Sequence, residues 1–223
     1  MSQNITDVIK RWVRFKKNLS SNVRQNIGVN SICKVETGNG ELGLGFLCTI
    51  SILGREIPLL ITSHELLPTS CIEEVTETIF HFSSFKLLLK TEFVNNCWTS
   101  LRLNATVIEL SFQGEKYLKT LKATFLECAE SLEVEEKIKI YTDIGGFNEL
   151  SNKPNSIIKS QHKDLFNYQL YSNKAVCGGP IINSKGFVIG IPKKDTKDDL
   201  QKATLLSKII LSFLEDRYRP FMY

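Results

Sequence analysis

The sequence has little of what usually points to a function at first reading. Its 223 residues include three histidines and two tryptophans, and 28 basic against 24 acidic residues leave a net charge of only +4. That excess is too small to argue a nucleic-acid or membrane partner from charge. No run approaches the ~18 uninterrupted apolar residues of a membrane span. Met1 to Asp7 is polar and leads into a basic stretch without the apolar core of a secretory signal. An intracellular, cytoplasmic chain with no membrane partner is therefore expected. Six scattered cysteines (Cys33, Cys48, Cys71, Cys97, Cys128 and Cys177) form no CxxC pair and no Cys/His cluster at metal spacing. Free thiols and no structural zinc follow. The glycosylation-type triplets at Asn4, Asn18 and Asn104 carry no weight without secretion.

What is present is an ordinary globular composition, 42% hydrophobic and 23% charged. Asp7 to Asn18 can place Val8, Trp12 and Phe15 on one helical face with lysine and arginine opposite, which predicts a helical extension within residues 1–30, packed on the outside of the domain. From Ser31 the character changes to short apolar stretches broken by turns. SICKVET, GFLCTISIL and IPLLITS are strand-like, joined by turn signals at Gly38-Asn39-Gly40 and Gly54-Arg55-Glu56. KIKIYTDI, FNYQLYS and GFVIGI continue the rhythm. Asn152 to Lys163 reads as a long loop, and Lys202 to Glu215 as a terminal amphipathic helix. Many short strands with a terminal helix indicate an all-β sandwich or barrel.

So few histidines narrow the search for a base. His64 ends the strand-like IPLLITS, where side chains are commonly displayed; His81 alternates with phenylalanines as a strand residue would, and His162 lies in the polar segment. The second signal is Cys177-Gly178-Gly179-Pro180 ahead of Ile181-Ile182. A reactive residue before two glycines can sit in a tight turn whose N–H groups point inward, although a free cysteine in such a turn also serves as a small buried hydrophobe.

Five pieces in one order resemble the trypsin-like proteases: GLGF at Gly43 to Phe46, LLITSHELL at Leu59 to Leu67, NATVIEL at Asn104 to Leu110, AVCGGP at Ala175 to Pro180, and GFVIGI at Gly186 to Ile191, followed by the terminal helix. Ala-x-Cys-Gly-Gly is also similar to the G-x-C-G-G signature of the picornaviral cysteine proteases. The resemblance implies an all-β fold of two packed six-stranded-type barrels, the first over about residues 31–115 and the second over about 116–200, then a helix over about 202–217. It implies His64 as general base, Cys177 as nucleophile, Asn104 in the place of the orienting acid, and the backbone N–H groups of Ala175 and Cys177 as an oxyanion hole. The primary pocket would be walled by Tyr171, Lys174, Ile189, Gly190 and Ile191, favouring a small or slender apolar side chain.

The implied activity is a cysteine endopeptidase acting on protein or peptide substrates, without cofactor or metal and with no nucleic-acid partner. Asparagine is tolerable at 104 because a thiol ionises more easily than a hydroxyl and an amide can still orient an imidazole. Asn104 and Ala175 in place of the family's aspartate and glycine also support the alternative, an inactive pseudoprotease that keeps the fold as a protein-binding module.

Overall fold

Runs rich in Ile, Val, Leu and Thr between glycine turns favour pleated strands that are covered on both faces. The computed structural model describes residues 13–14, 30–52, 54–69, 72–75, 77–129, 132–143, 150–169, 177–193 and 200–218. The first half contains β1 (Val13–Arg14), β2 (Ile32–Glu36), β3 (Leu42–Ile52), β4 (Arg55–Thr62), the short helix α1 (Ile72–Val75), β5 (Ile79–His81), β6 (Lys86–Leu88), β7 (Val94–Ser100), β8 (Ala105–Leu110), α2 (Phe112–Thr120) and β9 (Leu126–Glu127). The second half contains β10 (Lys137–Asp143), β11 (Leu150–His162), β12 (Leu165–Gln169), β13 (Ile181–Asn183), β14 (Val188–Pro192), β15 (Leu200–Leu205) and α3 (Leu206–Tyr218).

The first half is a half-barrel sheet in the order β6-β5-β2-β3-β4-β8-β7, with β1 and β9 added along β3. Both glycine turns anticipated in the sequence make antiparallel hairpins, β2 with β3 and β3 with β4, and Gly40 and Gly54 take φ of 82° and 81°, a region that glycine enters without steric cost. The second half is a closed barrel, β10-β11-β12-β15-β14-β13. The two-barrel expectation therefore describes the fold, with the first unit open and the second closed.

Alternation along β3 and β4 divides the core. Leu44, Phe46, Cys48, Leu59 and Ile61 face a cluster that includes Val188, Ile191 and, from α3, Ile209, Ile210 and Phe213. Cys33, Val35, Leu47, Leu60 and Ile108 face the interior of the half-barrel. A third cluster, with Phe166, Tyr168, Ile181 and Ile189, fills the closed barrel. One helix thus seals the seam between sheet and barrel, tied to the sheet by the Trp98 indole N–H on Asp216 at 2.6 Å and by an ion pair between Arg217 and buried Glu109.

Three local expectations are corrected. Val13–Arg14 pairs as a strand with Ile52 and Ser51, because β2 covers β3 only as far as Phe46 and β9 only Cys48 and Thr49, which leaves the end of that edge open; the remainder of the expected Asp7 to Asn18 helix lies outside the described residues. The expected loop Asn152 to Lys163 is instead most of β11, whose backbone groups are taken up by β10 and β12. The terminal helix begins at Leu206 rather than Lys202, since residues 200–205 close the barrel between β12 and β14. Helix α2, capped by the Ser111 side chain accepting from the Gly114 N–H, was not anticipated: it buries only Gly114 and Leu118, too little for an apolar stripe to show.

Candidate active site

Strand β4 ends at Thr62, and the chain turns at once. The N–H groups of Leu66 and Leu67 both donate to the Ser63 carbonyl, at 3.3 and 3.1 Å. Leu66 and Leu67 are buried in the half-barrel interior, which anchors the turn and leaves His64 half-buried and Glu65 exposed at its tip.

A row of threonines crosses the sheet beneath that turn. Thr62 on β4 pairs with Thr106 on β8, and Thr106 with Thr99 on β7. Cross-strand partners share a face, and this face continues the one carrying Leu60 and Ile108 into the half-barrel interior. The His64 Nδ1 meets Thr99 Oγ1 at 2.8 Å, Thr99 Oγ1 meets Thr106 Oγ1 at 2.9 Å, and Thr106 Oγ1 donates to the Leu67 carbonyl at 2.5 Å. Thr99, not Asn104, therefore stands on the inner nitrogen of the imidazole, which corrects the role expected for Asn104.

The reason lies in the β7–β8 turn. Asn104 closes it at φ 49°, a left-handed conformation that asparagine adopts more readily than most residues. Its carbonyl oxygen accepts from the Glu65 N–H at 3.2 Å. With that oxygen occupied, the buried Nδ2 has no hydrogen-bond partner among the described residues, and the amide sits beside the Cys177 sulfur.

Cys177 enters from the second half. Gly178 takes φ 84°, and a side chain there would place Cβ 2.2 Å from the Leu44 carbonyl oxygen and 2.8 Å from Thr62 Oγ1. The Leu44 N–H donates to the Cys177 carbonyl at 3.0 Å, pinning the cysteine turn to β3 next to the end of β4. The thiol donates to Glu65 Oε2 at 3.3 Å rather than to His64. Burial pushes the thiol pKa up to about 11; the Ser63 hydroxyl opposes this, the Glu65 charge and hydrogen bond reinforce it, and Asn104 opposes it. Ser63 Oγ, like Asn104 Nδ2, is buried, and neither has a hydrogen-bond partner other than this sulfur among the described residues.

His64 is thus bonded to Thr99, and Cys177 to Glu65, the residue after His64; neither Thr99 nor Glu65 is expected from the sequence. Glu65 could have been noticed as the neighbour of His64. Thr99 carries no signal until its pairing with Thr106 is known. Ala175, Tyr171 and Lys174 lie outside the described residues. Ile189 and Ile191 are buried, at 2% and 0% exposure, in the closed-barrel core and the seam cluster. Gly190 is filled in by the Thr204 carbonyl and the Phe166 ring, with its backbone paired on both sides. These three side-chain positions therefore do not wall a cleft, because both faces of β14 are committed to core.

The His81 Nε2–H donates to Glu36 Oε2 at 2.8 Å, away from this junction, and His162 is exposed at the end of β11. Among the described residues no three His, Cys, Asp or Glu side chains converge as ligands for a metal ion, and no helix is long and apolar enough to cross a membrane. Cys33, Cys48, Cys97, Cys128 and Cys177 are free thiols; Cys71 lies outside the described residues.

No family model and no curated protein matches the sequence. Solved structures do. The Rv3671c protease from M. tuberculosis in its active form superposes with a TM-score of 0.57 at 11% identity, covering 82% of this chain and 78% of that one. A mutant of Rv3671c in its inactive form gives 0.58 at 10% identity, covering 91% and 96%. The serine protease of human pathogenic astrovirus gives 0.52 at 10% identity, covering 84% and 96%. With a half-barrel sheet and a closed barrel sealed by a terminal helix, the chain has the trypsin-like double-barrel protease fold.

Proposed function

We propose that this chain is a cysteine endopeptidase in which Cys177 is the nucleophile and His64 the general base. The observation that carries the reading is the placing of Cys177: a glycine-dependent turn, bonded to β3 through Leu44, sets the sulfur at the junction of the two halves beside the turn that bears His64. Two buried donors without other partners, Ser63 Oγ and Asn104 Nδ2, flank that sulfur. Unpaired buried donors are costly unless something negative forms beside them, and a thiolate is such a group.

In this mechanism His64 takes the thiol proton through Nε2. The sulfur then adds to the scissile carbonyl, with the Cys177 and Ala175 N–H groups holding the oxyanion. The imidazolium protonates the leaving amine, and water, activated by neutral His64, cleaves the thioester. Because the resting thiol is bonded to Glu65, substrate entry has to displace that carboxylate before the sulfur can meet the imidazole. The substrate is a protein or peptide, and the setting is intracellular, where thiols stay reduced. No cofactor takes part.

The Glu65 contact also favours a second reading, a pseudoprotease that keeps the fold to bind partner proteins. A carboxylate bonded to the thiol holds it in its unreactive form. Cleavage of a peptide library by the purified chain, with Cys177→Ala as control, separates the two. Turnover lost in Cys177→Ala supports the peptidase. No turnover, together with a Cys177 that a thiol probe modifies no faster than the buried cysteines even after Glu65 is neutralised, leaves the binding module.

A further inference from the structure

We infer that Thr99 is a positioning residue that fixes the tautomer of His64, through a one-way chain of hydrogen bonds ending on the Leu67 backbone carbonyl. The inference rests on His64 being the base of the reading above.

A threonine hydroxyl carries one proton and can donate only once. The chain has a fixed end, because a backbone carbonyl only accepts. Thr106 Oγ1 lies 2.5 Å from the Leu67 oxygen, so the Thr106 proton is committed there. Thr106 is wholly buried, so no solvent competes for that proton. At 2.9 Å, Thr99 and Thr106 can be hydrogen-bonded only if Thr99 supplies the proton. Two other acceptors lie within reach among the described residues, the Ala105 carbonyl at 3.4 Å and, in its other tautomer, Nδ1 itself. Giving the Thr99 proton to Nδ1 would leave the Thr99 and Thr106 oxygens 2.9 Å apart with no proton between them, so the proton goes to Thr106 or is shared with Ala105, and the Thr99 oxygen has only lone pairs left for His64.

The 2.8 Å contact to Nδ1 therefore has the imidazole as donor. His64 is held with its proton on Nδ1 and the lone pair of Nε2 free to accept from a nucleophile. A carboxylate in this place would impose the same tautomer and also stabilise the imidazolium. A neutral threonine imposes the tautomer alone. That division of labour suits a thiol, whose proton is removed more easily than that of a hydroxyl, and which needs less help from a charged partner.

The elements that build this arrangement are the β4–β8–β7 row and the Ser63 to Leu67 turn. Cross-strand register stacks Thr106 on Thr99, while the buried Leu66 and Leu67 bring the Leu67 carbonyl down onto the row. The chain of hydrogen bonds is thus fixed by backbone on both sides.

The test is nitrogen NMR of the full chain labelled in its three histidines, with His64 assigned from a His64→Asn sample, at a pH where the ring is neutral. The expected spectrum shows His64 Nδ1 as the protonated nitrogen and Nε2 as the bare one. Thr99→Val keeps the shape but removes the acceptor, so the proton should move to Nε2. On a peptide the wild type cleaves, kcat should then fall about 10²-fold, the lower end of what a positioned base contributes, with KM nearly unchanged. Thr99→Ser, which restores the hydroxyl, should recover both the tautomer and most of kcat. A bare Nδ1 in the wild type, or an unchanged tautomer in Thr99→Val, overturns the inference. Should Thr99→Val fail to fold, the wild-type spectrum still decides. A chain that cleaves no peptide but shows the Nδ1 proton and its loss in Thr99→Val supports the positioning role and defeats only the peptidase reading.

Discussion

The Cys177 thiol donates to Glu65, the residue after His64, across 3.3 Å, so the sulfur is bonded to the neighbour of the base instead of to the base itself. Burial, reinforced by this contact, pushes the thiol pKa up to about 11, where almost no thiolate exists at neutral pH. Glu65→Gln removes the charge and leaves the shape. The pKa of Cys177 should fall, and each unit of fall raises the thiolate fraction about tenfold while the pH stays well below it. Alkylation of Cys177 by iodoacetamide at pH 8, followed by mass spectrometry of each cysteine, should therefore be faster in Glu65→Gln than in the wild type. An unchanged or slower rate would mean that Glu65 does not control the sulfur.

The seam gives a prediction about stability. Glu109 is 3% exposed and is paired with Arg217 from α3, with a second hydrogen bond from the Asn95 amide at 3.3 Å. Arg217→Ala would strand a buried carboxylate and should cost about 3 kcal/mol. That is the lower end for breaking a buried pair, because the Arg217 side chain keeps 28% of its exposure. Replacing both residues by leucine removes charge and partner together and should cost less than Arg217→Ala alone. Urea denaturation of the three proteins checks the order, and a double variant weaker than the single would contradict it.

Much of the fold and part of the site could be read from the residues, and the division follows from how local each signal is. Strands β2, β4 and β14 are legible because each is an apolar run with β-branched residues that lies next to a glycine turn. His64 and Cys177 stood out because each sits in a short motif whose geometry is set by its own neighbours. Thr99 did not, since its role depends on the register of two strands and on the turn that Asn104 closes. The same turn explains the partner of Asn104: the resemblance sets it, at the head of β8, in the place of the orienting acid, but its left-handed backbone sends the amide to the Glu65 N–H and the sulfur. Strand β11 was hidden by its polar composition, and β15 by lying directly against α3, where strand and helix share one apolar run.

The cysteine turn is strained territory for any residue but glycine at 178. Gly178→Ala must place a methyl group against the Leu44 carbonyl at φ 84°. The backbone conformation alone costs about 1–2 kcal/mol with a side chain present, and the overlap adds to it. Thermal denaturation should show a Tm several degrees lower, since about 1 kcal/mol shifts a chain of this size by ~2–4 °C. The Cys177 alkylation rate should change as well, because the turn sets the distance to Glu65. A variant with wild-type Tm and wild-type reactivity would show that the turn does not hold the sulfur in place.

Asn104 offers the sharpest contrast between the role its position suggested and the one its contacts give it. As the orienter of His64, it should improve catalysis when converted to aspartate, above all in a Cys177→Ser background. In this structure its carbonyl oxygen is bonded to the Glu65 N–H, and its amide nitrogen lies beside the sulfur as an unpaired donor. Asn104→Asp exchanges that donor for a second negative charge next to a thiol that already faces Glu65. The thiolate is then disfavoured twice, by the lost donor and by added repulsion. Aspartate tolerates the left-handed conformation of residue 104 nearly as well as asparagine, so the turn itself should survive. Cys177 alkylation at pH 8, and peptide cleavage where the wild type has it, should both fall about tenfold, one pKa unit's worth of thiolate. In the Cys177→Ser background the aspartate should recover nothing, because the imidazole Nδ1 is already taken by Thr99. A gain in either background would return Asn104 to the place behind His64 and remove Thr99 from it.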